Sequence, residues 1–197
     1  MKTLFENWNK YLKEDVNVEV GAGEAILYHV SPVPDIEFLD PEIAVRNLQI
    51  YSTAEYQAWD QPRVFYFTKW GQEDIGMGKI PGENVYKVHI NKSDLYEIYK
   101  DPNCYSCRDR YDERVKEYKE IRAQPRTDEE GKEIPGTPEY YPVNSFRMVH
   151  ALLKKYQSNI KGFIYPQSGN PDNVIVALWE RVPVEKLDKS FYDKEEN

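Results

Sequence analysis

The sequence predicts an α+β fold with a largely antiparallel sheet, on three observations. Short apolar runs of strand type recur as AILYHV (25–30), RVFYFT (63–68), NVYKVHI (84–90) and NVIVALWERV (173–182), bounded by turn residues. Apolar residues at helical spacing mark three other segments, near the start, at 108–123 and at 143–159. The order is helix, strands with loops, two helices, closing hairpin, which favours an α+β arrangement over a regular strand–helix alternation.

The length of 197 residues favours one domain, long enough to bury a core. Charged residues make up 30% and the apolar set 40%, so the core is modest and the surface heavily charged. Tyrosines number 16 against 7 phenylalanines. A tyrosine packs its ring while its hydroxyl stays wet or bonded, which suits core boundaries and cleft walls. The formal charge of −8 argues against non-specific binding to nucleic acid or anionic membrane. No apolar run approaches the ~20 residues of a membrane span.

Along the chain, Leu4, Phe5, Trp8, Tyr11 and Leu12 lie at helical spacing and predict an N-terminal helix within 1–16. Acids interleave with them, unlike a signal peptide, and the expected location is cytoplasmic. Residues 17–25 read as a strand-like scrap and a glycine-rich turn. AILYHV is the first clear strand. SPVPDIEFLDPE (31–42) holds three prolines and reads as extended loop. The mixed segment 42–62 ends in a turn signal, and RVFYFT is the second strand. GQEDIGMGKIPGEN (71–84) has glycines but not the spacing of a phosphate-binding or dinucleotide loop. NVYKVHI alternates with period two, so His89 reads as a sheet residue.

Ser93 is the expected N-cap of a short helix in KSDLYEIYKD (92–101). Residues 108–123 form a charged helix with a stripe of Tyr111, Val115, Tyr118 and Ile121. Segment 124–142, rich in Pro, Gly and acids, reads as a mobile loop. The helix at 143–159 aligns Phe146, Val149, Leu152, Leu153 and Tyr156 on one face, with His150 a satisfied helix histidine. Together 101–158 make a helical, Pro-rich insertion. IKGFIYP (160–166), the turn QSGNPDN (167–173) and NVIVALWERV close the chain as a hairpin before a frayed tail at 189–197. The cysteines, Cys104 and Cys107, read first as ordinary reduced thiols, with half a zinc site or a redox pair as alternatives.

Three motifs in order carry a resemblance: His29 in YHVS, Tyr66 in FYFT and Asn173 opening NVIV. Together they resemble the ADP-ribosyltransferase fold, in the branch of diphtheria-type toxins, poly(ADP-ribose) polymerases and rifampin-modifying transferases. The resemblance covers 25–90 and 158–187. It implies a split, mainly antiparallel sheet with flanking helices and NAD as substrate. It also implies a catalytic set of His29, Tyr66 and Asn173 and a cofactor-binding set of His29, Val30, Ser31, Tyr66 and Thr68. Two positions depart from the family: Val30 stands where it usually has Gly, and Asn173 where most active members have Glu.

The chemistry gives each residue a task. Breaking the nicotinamide–ribose bond passes through an oxocarbenium-like state and releases neutral nicotinamide, so no general acid is required. An imidazole can position ribose hydroxyls. An aromatic face holds the cationic nicotinamide ring. An acceptor stabilises the positive charge growing on the ribose. An amide oxygen has no net charge, and losing one placed electrostatic group costs ~10²–10³ in rate. Asn173 therefore leaves three readings: a slow or specialised transferase, rescue by Asp172, Glu180 or Glu73, or NAD binding without turnover.

The implied function is transfer of ADP-ribose from NAD to an acceptor, with a protein favoured over nucleic acid by the charge. The insertion at 101–158 is expected beside the cleft, choosing that acceptor. The rival is a non-catalytic binding or interaction module on the same fold, favoured by Asn173 and Val30. A nuclease or deaminase ranks below both, because no metal-ligating or acid–base pair has suitable spacing. The opening MKTLFENWNKYLKE is similar to the starts of many small proteins of large tailed bacteriophages. That implies a phage protein acting in a host cytoplasm.

Overall fold

A computed structural model describes residues 23–43, 62–68, 84–98, 100–127, 131–136, 143, 145–167 and 170–187. For 166, 167 and 170–173 the backbone alone is described. The expected N-terminal helix, the loop at 71–84 up to its last residue, and the tail at 189–197 lie outside the described residues, as do 128–130 and 137–142 of the expected mobile loop.

The described chain is an α+β fold on a mixed, mostly antiparallel sheet. Its strands are β1 (Glu24–Ser31), β2 (Phe38–Leu39), β3 (Val64–Phe67), β4 (Asn84–Asn91) and β5 (Leu95–Glu97). Helix α1 (Tyr111–Ala123) follows, then the small strands β6 (Arg126–Thr127) and β7 (Glu133–Ile134), and helix α2 (Ser145–Tyr156). β8 (Gly162–Gln167), β9 (Asn170–Leu178), β10 (Val182–Pro183) and β11 (Glu185–Lys186) complete the order. Seven strands form one sheet in the order β11-β4-β1-β3-β9-β8-β5. Within it only β5 and β8 pair in parallel. Among the described residues the sheet is continuous across the position where a split was expected, because β1 pairs with both β4 and β3. Among the described residues β1 and β3 share one register pair, Tyr28 opposite Phe67, while β1 pairs with β4 along its whole length.

Period-two alternation sorts the strand side chains onto two faces. One face buries Leu27, Tyr66, Val88, Ile164 and Val176, with Ile36, Val182 of β10 and Val184 packed against them. The other buries Phe163, Ala177 and Trp179 beneath Met148, Leu152 and Leu153 of α2 and Tyr118 of α1. Val149, Leu152 and Leu153 confirm the apolar face read for α2, whereas Tyr156 is exposed. On α1 the buried residues are Arg114, Tyr118 and Arg122, one per turn. Arg122 lies over the Tyr118 ring at 5.3 Å. The arginine stems pack and the aromatic faces receive the charges, so a helix of mainly charged residues still buries a stripe.

Three local expectations are corrected. Lys92–Asp94 form a 3-10 turn that follows Asn91 without a side-chain cap, and Ser93 lies within it. The residues after it become β5, because Leu95 and Tyr96 bury themselves beside β8 instead of continuing a helix. Part of the expected mobile loop is a small antiparallel pair, with Arg126 opposite Ile134. His150 is not a satisfied helix histidine: it is fully buried and neither ring nitrogen has a hydrogen-bond partner among the described residues. Among the described residues no helix is long and apolar enough to cross a membrane.

Candidate functional site

His29 sits near the end of β1, on the strand's inward face after Ala25 and Leu27. Tyr66 lies on the neighbouring β3, and the two rings approach to 5.6 Å between centroids, tilted by 55°. The structure thus brings together two residues 37 positions apart in the chain (66 − 29). His29 Nδ1 lies 2.9 Å from the carbonyl oxygen of Phe65. A carbonyl only accepts, so Nδ1 carries the proton and donates it. Nε2 is then a bare acceptor. Burial lowers the His29 pKa, and the bond to Phe65, which favours the charged form, only partly offsets this. The imidazole is therefore neutral at neutral pH, with its tautomer set by the backbone of β3.

Tyr66 is fully buried and its hydroxyl has no hydrogen-bond partner among the described residues. Burial pushes its phenol well above the ordinary value. An unpaired buried hydroxyl costs about 1–3 kcal/mol, so it marks a place where a further polar group would be stabilised. On the other side of His29, across β1–β4, stands Tyr86. Its hydroxyl donates to Val33 O at 2.8 Å and accepts from Ile36 N at 3.2 Å, pinning the proline-rich loop over this face. Sequence reasoning passed over Tyr86. The period-two pattern of NVYKVHI, which sets Tyr86 on the face of Val88 and Ile90, was the available signal.

The other expected residues are placed as follows. Val30 follows His29 and alternates to the opposite face, half-buried. The Ser31 hydroxyl accepts from Val33 N at 3.2 Å, closing a local turn. Thr68 Oγ1 donates to Val174 O at 3.3 Å, which ties the end of β3 to β9. Asn173 immediately precedes Val174, so its backbone adjoins that bond. It does not open β9, which begins at Asn170. Pro166 pairs with Val174 and Gln167 with Asn170, so Asn173 falls in a bulge where simple alternation does not set its face. Its side chain, and that of Asp172, lie outside the described residues, as does Glu73 altogether. Glu180 is exposed past the other end of β9. Among the described residues neither His29 nor Tyr66 has a carboxylate partner.

The helices α1 and α2 pack on the opposite face of the sheet from His29 and Tyr66. The expectation that they stand beside this pair is corrected: their apolar stripes are matched to Phe163 and Trp179. They build a separate open groove of about 580 Å³, lined by Tyr105, Arg114, Glu117, Lys155 and Tyr156 among others. Glu117 is its electrostatic centre, bonded by Arg114 at 2.8 Å, by Lys155 at 2.6 Å and by the Tyr156 hydroxyl. Burial raises the Glu117 pKa, but the bonds from Lys155, Tyr156 and Arg114 outweigh it and pull the group down to about 2. Each of the three charged groups named here, Arg114, Glu117 and Lys155, is paired within the groove.

Cys104 and Cys107 form a disulfide, which corrects the expectation of reduced thiols. Their sulfurs and the Asp109 carboxylate lie within 4.8 Å of one another. In the disulfide the sulfurs offer no thiolate to a metal. No protein-family model, curated protein or solved structure matches the chain.

Proposed function

We propose that the β1–β3 seam binds NAD and that the chain transfers ADP-ribose from it to an acceptor, with a protein as the favoured acceptor class. The observation that carries this reading is the His29–Tyr66 pair: a neutral imidazole with a bare Nε2 beside a phenol whose hydroxyl is unpaired. Nε2 is suited to accept from a ribose hydroxyl, and the Tyr66 ring to lie against the nicotinamide. Tyr66 presents no surface, so NAD must part the seam to reach it. Among the described residues one register pair joins β1 to β3, which supports this seam as a place where the sheet can open. Thr68 and Asn173 flank the same end of the seam, and Val30 and Ser31 continue β1 beyond His29. The ADP-ribosyltransferase topology, a phage origin and action in a host cytoplasm belong to the same proposal.

A second reading, NAD binding without turnover, is favoured by the absence of a carboxylate partner at the pair among the described residues. One experiment separates the two. The protein is incubated with NAD, free nicotinamide is measured, and His29→Ala is the control. Release that depends on His29 supports the transferase. A rise in melting temperature with NAD but no release supports the binding module. Neither release nor a thermal shift ends both.

A further inference from the structure

The loop joining β5 to α1 combines three features. Cys104 and Cys107 are bridged with Cα atoms 4.9 Å apart, and both are only half-buried. Between them Tyr105 turns inward, 4% exposed, and forms part of the groove wall. Its ring stacks on Tyr156 at 6.5 Å, and its hydroxyl accepts from Gln157 Nε2 at 3.1 Å, so the loop is fastened to the end of α2. The Arg114 guanidinium lies 5.6 Å from the Tyr105 ring centre and 5.8 Å from that of Tyr156.

The backbone here is held in conformations that L residues seldom adopt. Cys104 has φ 56° and Asp101 φ 35°. Asp101 accepts from Tyr105 N at 2.9 Å, from Ser106 N and Oγ at 2.7 Å each, and from the Tyr96 hydroxyl at 2.5 Å. These bonds fix Asp101 and hold the amides of Tyr105 and Ser106 to it. At Cys104 the covalent bridge supplies the constraint, together with one turn bond from its amide to Asp101 O at 2.8 Å. A bridge across three positions closes a very short loop, and such bridges contribute little to global stability. The influence of this one is therefore local.

We infer that Cys104–Cys107 is a reversible dithiol–disulfide switch that holds Tyr105 in the groove wall when oxidised and releases it when reduced. The co-reactant is a dithiol. One of its thiolates attacks a cysteine sulfur, forming a mixed disulfide and expelling the other cysteine as thiolate. Its second thiol then resolves the mixed disulfide. Two electrons and two protons pass to the protein pair, and the reductant leaves as its own disulfide. The inference stands apart from NAD binding, since neither the loop nor its groove is on the His29 face of the sheet.

The test equilibrates the full chain in mixtures of reduced and oxidised dithiothreitol. Thiols are trapped by alkylation and counted by mass, and amide hydrogen exchange is followed in parallel. The expected result is one two-electron transition. On reduction, exchange at 103–107 should accelerate at least tenfold while β1, β8 and β9 stay protected. The double variant Cys104→Ser, Cys107→Ser should exchange like the reduced protein in every buffer. Unchanged exchange at 103–107 on reduction would overturn the inference, as would loss of protection across the whole sheet or a pair that stays reduced in fully oxidised buffer.

Discussion

Replacing His150 by Phe tests the most exposed consequence of this core. The imidazole is fully buried on α2, stacked on Trp179 at 4.1 Å between ring centres, with neither nitrogen bonded. Burial holds its pKa far below the ordinary value, and the charges of Arg63 and Lys154 press the same way. The folded chain therefore refuses a proton that the unfolded chain accepts at about pH 6.5. As pH falls below that value, stability is lost at up to about 1.4 kcal/mol per pH unit from this residue. Integrated from pH 7 to pH 5, the loss is about 2 kcal/mol. His29, also lowered by burial, adds a loss of the same sign in both proteins. Denaturant unfolding at the two pH values measures the difference within each protein, so any repacking cost of the larger Phe ring cancels. His150→Phe should lose about 2 kcal/mol less than the parent between pH 7 and pH 5. An equal loss in both proteins would show that His150 is charged or bonded in the fold, and the argument would fail.

Three further outcomes follow from other sites. Glu117→Gln removes the anion shared by Arg114, Lys155 and Tyr156, and should cost about 1–3 kcal/mol at neutral pH. Because the Glu117 pKa is depressed to about 2, the parent should lose this advantage as pH falls from about 4.5 toward 2, and unfolding curves that already converge at pH 6 would contradict it. Gly162→Ala places a Cβ 2.4 Å from Ala177 O and 2.5 Å from a Leu178 methyl, so β8 must shift from β9 at about 1–3 kcal/mol, read as a lower denaturant midpoint. Tyr66→Phe deletes an unpaired buried hydroxyl and should leave the free protein unchanged or about 1 kcal/mol more stable, whereas a loss of several kcal/mol would mean that the hydroxyl is bonded.

The strands legible from local pattern are those whose burial is settled by alternation: AILYHV, VFYF and NVYKVHI became β1, β3 and β4 at nearly the expected bounds. The apolar face of α2 was legible for the same reason. Leu95 and Tyr96 were misread because three residues of strand carry too little period to outweigh a capping signal, and the parallel partner β8 lies far along the chain. The buried arginines of α1 were invisible to a hydropathy pattern: Arg122 lies over Tyr118 of its own helix, and Arg114 over Tyr105 of the preceding loop. His150 was misjudged because its solitude is a property of its neighbours.

By itself the sequence determined the α+β class, the positions of the main strands and helices, and the two rings His29 and Tyr66, since period and residue type are written locally. Only the tertiary structure decided which strands adjoin, that β1 and β3 are neighbours with those rings across their seam, and that both helices cover the other face. Pairing, register and facing depend on which apolar surfaces are buried together, and that choice is made by the whole chain at once.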